Sequence, residues 1–135
     1  MALTDLIQEV QDAAAREASG DPAAHMQLLD SLQRLQNAAW TPMEKMTRLR
    51  NQLYHNACVR LGQKYGILQS LSTSKEATAM ELSQATKVDE LLIIRLMRIL
   101  TGIGFAEEIS PSRYRANETT DVSIRRGYLA DVKYT

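Results

Sequence analysis

A chain of 135 residues is about one domain's worth, and its 16 basic and 16 acidic residues leave a formal net charge of zero, so no bulk field draws it to nucleic acid or anionic lipid. Its lone cysteine, Cys58, excludes an internal disulfide and fits a reducing compartment. No apolar run approaches the roughly 18–20 residues of a membrane span, and no basic region followed by an apolar one opens the sequence; a soluble, cytoplasmic domain is expected.

Leu3, Leu6, Ile7, Val10, Ala13 and Ala14 recur at helical spacing and predict an amphipathic helix over residues 4–18. The stretch SGDP breaks it, with Asp21 as N-cap and Pro22 as first residue of a second helix. That helix runs to about Asn37 and carries Leu28, Leu29, Leu32 and Leu35 on one face. Thr41 and Glu44 have capping-box spacing around Pro42. Met46, Leu49, Leu53, Tyr54, Ala57 and Leu61 then extend a long helix to about Lys64. YGIL reads as a loop that returns an apolar pair to the core, and STSKEAT as a polar connection.

Thr78 and Glu81 repeat the capping-box spacing and open a short helix with Leu82 and Ala85 inward. TKVD turns the chain, Asp89 caps the next helix, and TGIG ends it. FAEEI and RYRAN flank the turn sequence SPS and read as a two-stranded wing. The tail from Thr119 to Thr135 is weakly periodic, through Val122, Ile124, Tyr128 and Leu129, and is expected to be partly helical. The expected fold is mainly α, a helical dimerisation bundle over residues 1–66 with a winged-helix core over 67–118, followed by a C-terminal segment, 119–135.

The helix over residues 90–103 contains LLIIRLMRIL. At about 100° per residue, Leu92, Leu96, Ile99 and Ile103 form the expected core face, while Ile94, Met97 and Thr101 fall opposite. A groove-reading helix needs hydrogen-bonding side chains there, because base edges are read by hydrogen bonds. Arg95 and Arg98 remain, a thin electrostatic footprint on a neutral domain. A helix apolar on both faces is expected to pack against protein, and nucleic acid is not the expected partner.

The stretches HNACVRLGQKYGILQSL, TAMELSQATKVDELLIIRLMRILTGIGFAEE and RYRAN together resemble the N-terminal region of plant-type and fungal SAM-dependent O-methyltransferases. The resemblance covers residues 28–135, and its motifs are structural. It implies a dimerisation module that helps wall a small-molecule, natural-product pocket. It also implies that the methyl-donor site and the catalytic histidine belong to a catalytic domain beyond this sequence. S-adenosylmethionine is therefore not an expected cofactor of this chain alone. Gly102 and Gly104 end a helix instead of following a strand, so they do not make a cofactor loop.

Three amphipathic helices over residues 4–64 present more apolar surface than a small winged helix covers. A homodimer is expected, with Leu28, Leu32, Leu35, Met46, Leu49 and Leu53 at its interface. Tyr54 and His55 are the candidate pocket-lining residues. Neither His25 nor His55 has neighbours at metal-ligand spacing, and Cys58 has no evident base, so no catalytic or metal residue is expected. Partners left open are a catalytic methyltransferase domain or subunit and a small-molecule ligand. Two other readings stand beside this one: a winged-helix transcriptional regulator, and a cyclase-like protein built on the same scaffold.

Overall fold

The computed structural model describes residues 2–125; Tyr128 and Leu129, which carried half of the periodicity expected in the tail, lie outside the described residues. The chain divides into two compact units, Met1–Arg50 and Asn51–Thr135. Described elements are mainly helical, with one three-stranded antiparallel sheet.

In the first unit, α1 (Leu3–Ala18) and α2 (Ala24–Ala39) pack together, burying Leu6 and Ala13 on one helix and Ala24 and Ser31 on the other. The small side chains of Ala13, Ala24 and Ser31 let the backbones approach beside Leu6, and the Ser31 hydroxyl donates to the Gln27 carbonyl at 2.8 Å. Asp21 does not cap α2 as expected. Its Oδ1 accepts the Ala23 N–H at 3.0 Å, two residues on, so Asp21 and Pro22 form a turn and the helix starts later. The capping box at α3 (Pro42–Lys64) is present: Thr41 Oγ1 accepts the Glu44 N–H at 3.2 Å, and Glu44 Oε2 accepts the Thr41 N–H at 2.8 Å.

In the second unit, the segment expected as a loop is a helix, α4 (Ile67–Ser74), begun by Gly66 at φ 78°. Ile67, Leu68 and Leu71 are fully buried, at the i, i+1, i+4 spacing of a helical face. At its polar end the Thr73 and Ser74 hydroxyls donate back to the Gln69 and Ser70 carbonyls, both at 2.9 Å, which satisfies them within the helix. Lys75, at φ 69°, turns the chain into a strand that sequence reasoning missed, β1 (Glu76–Thr78).

Then follow α5 (Ala79–Thr86), α6 (Glu90–Gly102), β2 (Glu107–Ser110) and β3 (Arg113–Arg115). The expected hairpin of β2 and β3 is thus extended to the order β1-β3-β2, with Ala77 opposite Tyr114. Hydrogen bonds from Thr78 hold the Glu81 carboxyl below the ordinary carboxylate range. Because the folded pKa is the lower one, this contribution is complete above the unfolded pKa and is lost as pH falls through the folded one. Asp89 caps α6 as expected, its Oδ2 accepting the Leu92 N–H at 3.2 Å. Ala85, expected inward on α5, is exposed.

The face of α6 also differs from expectation. Ile93, Leu96, Met97 and Leu100 are buried, while Leu91 and Leu92 are about half exposed, at 54% and 49%. Met97, placed outward from the sequence, is core; Ile94 and Ile99 are half-buried and pack at its margin. Both stripes have helical spacing, and a helix with apolar residues nearly all round gives periodicity nothing to choose between. α7 (Glu118–Ser123) closes the described chain. It is fastened by Gln63 Nε2 donating to the Ser123 carbonyl at 2.7 Å and Ser72 Oγ donating to Asp121 Oδ1 at 2.6 Å.

The corrected face makes a direct prediction. Met97→Ala should destabilise the protein by about 2–5 kcal/mol, as a fully buried large-to-small change does, whereas Leu92→Ala should change stability by less than about 1 kcal/mol. Urea denaturation of both variants measures this, and a larger loss for Leu92→Ala would restore the other face.

Candidate functional site

The apolar residues of the helices fall into two sets, those that make the units and those left facing water. In the first unit the buried apolar residues among those described are Leu6, Ala13 and Ala24. Larger ones are outside: Leu3 and Ile7 on α1, Met26, Leu29 and Leu32 on α2, and Met43, Met46 and Leu49 on α3. Met43 and Met46 are 76% and 65% exposed. Leucine and methionine are good helix formers, but lysine, glutamine and glutamate serve nearly as well at an exposed position. Helix formation alone does not account for this choice of exposed residues.

Polar contacts fix the helices that carry it. Arg34 Nη1 lies 2.9 Å from Glu9 Oε2 on α1, and Arg34 Nε 3.1 Å from Asp30 Oδ2 on its own helix. His25 Nδ1 is 2.7 Å from Glu17 Oε1. Arg48 stacks over Trp40, 5.0 Å from the ring centroid, and donates to Gln36 Oε1 at 3.0 Å. These exposed pairs are individually worth little; their part is to set which way α2 and the start of α3 present their side chains. A polar cleft of about 430 Å³ lies along Glu9, Asp12, Arg16, Asp30 and Arg34, and a second of about 420 Å³ is lined by Ala39, Trp40 and Glu44.

In the second unit, the remainder of α3 exposes Leu53 at 68% and Tyr54 at 63%, with Leu61 and Tyr65 further on. The same segment buries Cys58, Gly62 and Gln63. Burial pushes the Cys58 thiol pKa up, which favours the unreactive thiol. Burial, with Glu108 nearby, also raises that of the Tyr114 hydroxyl. Among the described residues no group of three or more His, Cys, Asp or Glu side chains could hold a metal ion, and no helix is long and apolar enough to cross a membrane.

Of the residues expected at an interface, Leu32, Met46, Leu49 and Leu53 are exposed, and Leu28 and Leu35 are half-buried. Tyr54 is exposed and His55 half-buried, and neither lines the two clefts of the first unit. Sequence reasoning missed the outward Leu91 and Leu92. Met26, Met43 and Met46, whose number on the helices suits adaptable packing at helix interfaces, are exposed.

No family model matches the chain. O-methyltransferase afvC of Aspergillus flavus is 26% identical over 115 residues, covering 84% of this chain and 27% of that protein. The 16-O-methyltransferase bsc6 of Alternaria brassicicola is 25% identical over 132 residues, covering 97% of this chain and 32% of that one. The chain therefore spans about a third or less of the curated relatives it matches. Among solved structures, OxaC in complex with SAH and oxaline matches with a TM-score of 0.79 at 22% identity, over 93% of this chain and 33% of that one. LepI in complex with SAM matches at 0.76 and 19%, over 98% and 35%. A structure described as a pericyclic reaction enzyme matches at 0.76 and 21%, over 97% and 33%. At these identities the solved structures establish the fold alone.

The burial of Cys58 is open to measurement. At pH 8 its thiol should react with an aromatic disulfide reagent at least about tenfold more slowly in the native protein than in urea, because attack needs an accessible thiolate. Equal rates would show that the thiol is open in the native state.

Proposed function

We propose that this chain is a self-associating helical module of an O-methyltransferase-like protein of natural-product metabolism, working in the cytoplasm. The observation that carries the reading is the exposed row of methionine, leucine and tyrosine on α2 and α3. It is joined to a first unit whose described apolar core consists of Leu6, Ala13 and Ala24. A unit of about 50 residues rarely stands on so little burial without an added partner surface. In this reading two copies cover each other's rows through Leu28, Leu32, Leu35, Met46, Leu49 and Leu53. The region over residues 67–118 is, in this reading, a winged helix that serves as scaffold.

The chemistry is proposed to lie elsewhere, in a catalytic domain or subunit that this module joins. Gly102 ends α6 and Gly104 follows it, at the end where the helix dipole is negative and no N–H groups point outward. A glycine-rich cofactor turn needs the opposite end of a helix. Similarity to two fungal O-methyltransferases supports the family reading, and Tyr54 and His55 are the residues we would place nearest a small-molecule pocket.

One observation favours a second use of the same scaffold. The fold is shared with a protein described as a pericyclic reaction enzyme, which supports a small-molecule-binding or cyclase-like role without methyl transfer. The two uses differ in what the completed pocket does to its ligand, and both retain the self-association.

Sedimentation equilibrium at micromolar concentration should give a dimer, with an interface of about 2,000 Å² or more as obligate pairs have. Leu49→Glu combined with Leu53→Glu should yield a monomer of unchanged helical content. A parent protein that sediments only as monomer would sink the proposal. Calorimetric titration of the 135-residue chain with S-adenosylmethionine should be flat, and a micromolar dissociation constant would put the donor site in this chain after all.

A further inference from the structure

The outward stripe of α6 has no part in the function proposed above. At about 100° per residue, Leu91, Arg95, Arg98 and Gly102 fall within about 60° of one another, with Leu92 on the flank. All five are exposed. The arginines of the neighbouring sheet are matched, Arg113 with Glu76 at 3.3 Å and Arg115 with Glu107 at 3.1 Å. Arg95 and Arg98 have no carboxylate oxygen within 4.0 Å among the described residues. Glu108, which together with Arg98 acts on the Tyr114 hydroxyl, already accepts the Ser112 N–H at 3.1 Å. At the far end, nothing lies within 4 Å of where a Cβ on Gly102 would stand. The stripe thus presents two leucines, then two unmatched guanidinium groups, then an open notch.

The geometry points to α6 as a docking face for an acidic amphipathic helix of a partner protein. Carboxylates three or four residues apart on such a helix meet Arg95 and Arg98, whose planar forks bind carboxylate in a bidentate way. The partner's apolar positions cover Leu91 and Leu92, and the missing side chain at Gly102 lets its backbone approach. From Leu91 to Gly102 the stripe is about 17 Å long at 1.5 Å per residue, or three turns of the incoming helix. A contact of that size lies at the small end of specific interfaces and implies micromolar, salt-sensitive binding.

Charge alone would also suit duplex DNA, and the composition of the stripe argues against it. A groove-reading helix brings its N-terminal residues to the base edges; here those residues are Leu91 and Leu92, which neither donate nor accept hydrogen bonds. The zero formal charge of the chain adds no long-range attraction to phosphate.

The stripe uses none of the residues assigned to self-association, so the two proposals fail separately. The probe is a fluorescein-labelled synthetic helix with leucine at heptad a and d positions and glutamate beside them. The controls are the same helix with lysine for glutamate and a mixed-sequence DNA duplex, each titrated into the 135-residue protein at two salt concentrations. The glutamate helix should bind saturably in the micromolar range. Arg95→Glu with Arg98→Glu, and separately Leu91→Ser with Leu92→Ser, should each weaken it about tenfold. The lysine helix should gain on the charge-reversed protein. Circular dichroism and sedimentation of both double variants should match the parent. The inference is overturned if the glutamate helix does not saturate, if neither double variant weakens it, or if the variants change the association state. Tighter duplex binding that the arginine variant loses would overturn it in favour of DNA.

Discussion

The second unit depends on how closely α6 can approach α3 and α4. A Cβ on Gly62 would stand 3.2 Å from Leu100 Cδ1 and 3.2 Å from Leu68 Cγ, tighter than ordinary contact, so the glycine is what lets these side chains meet. With that approach made, Ile93, Leu96, Met97 and Leu100 share one core with Ile67, Leu68 and Leu71. Leu82 of α5 and Tyr114 of β3 belong to the same cluster. The same packing fixes what is left outside. Leu91, Leu92, Arg95 and Arg98 face water because Met97 and Leu100 do not.

Around this core the fastening is polar and local. Thr78 and Glu81 satisfy each other's backbone at the head of α5, and Asn117 and Thr120 do the same at α7. Gln63, Ser72 and Asp121 hold α7 to the end of α3 and to α4. Gln63, Ser72 and Thr120 are buried, so their hydrogen bonds keep a desolvated polar atom from going unpaired; the exposed box at Thr78 and Glu81 serves to fix geometry.

The first unit follows a different rule. Its contact between α1 and α2 buries Leu6, Ala13, Ala24 and Ser31, while Ile7, Met26, Leu29, Met43 and Met46 stay exposed. An amphipathic helix gains most of its stability from burying its apolar side, so a pair of helices arranged in this way is best explained by a further surface laid against it. That is the physical ground for reading the chain as a module of something larger. It agrees with the fraction of each fungal relative that the chain spans.

The sequence by itself determined most of the helices and their starts. Apolar spacing marked α1, α2, α3, α5 and α6, and the boxes at Thr41 and Thr78 lay within three residues, where side chain and backbone must meet whatever the rest of the chain does. It also supported the mainly helical architecture and the β2–β3 hairpin, whose turn chemistry is local. What only the tertiary structure decided was which surface each element turns inward. Residues 90–103 carry two overlapping apolar stripes, and the choice between them came from Gly62, Leu68 and Leu100, distant in sequence and close in space. β1 has three residues and exists because β3 is there to pair with it. YGIL read as a loop and STSKEAT as a polar connection; the helix between them, α4, is decided by Gly66 at its start and by the burial of Ile67, Leu68 and Leu71 in the core. Local chemistry is written in neighbouring residues; burial is a property of the whole packed core, and no single stretch contains it.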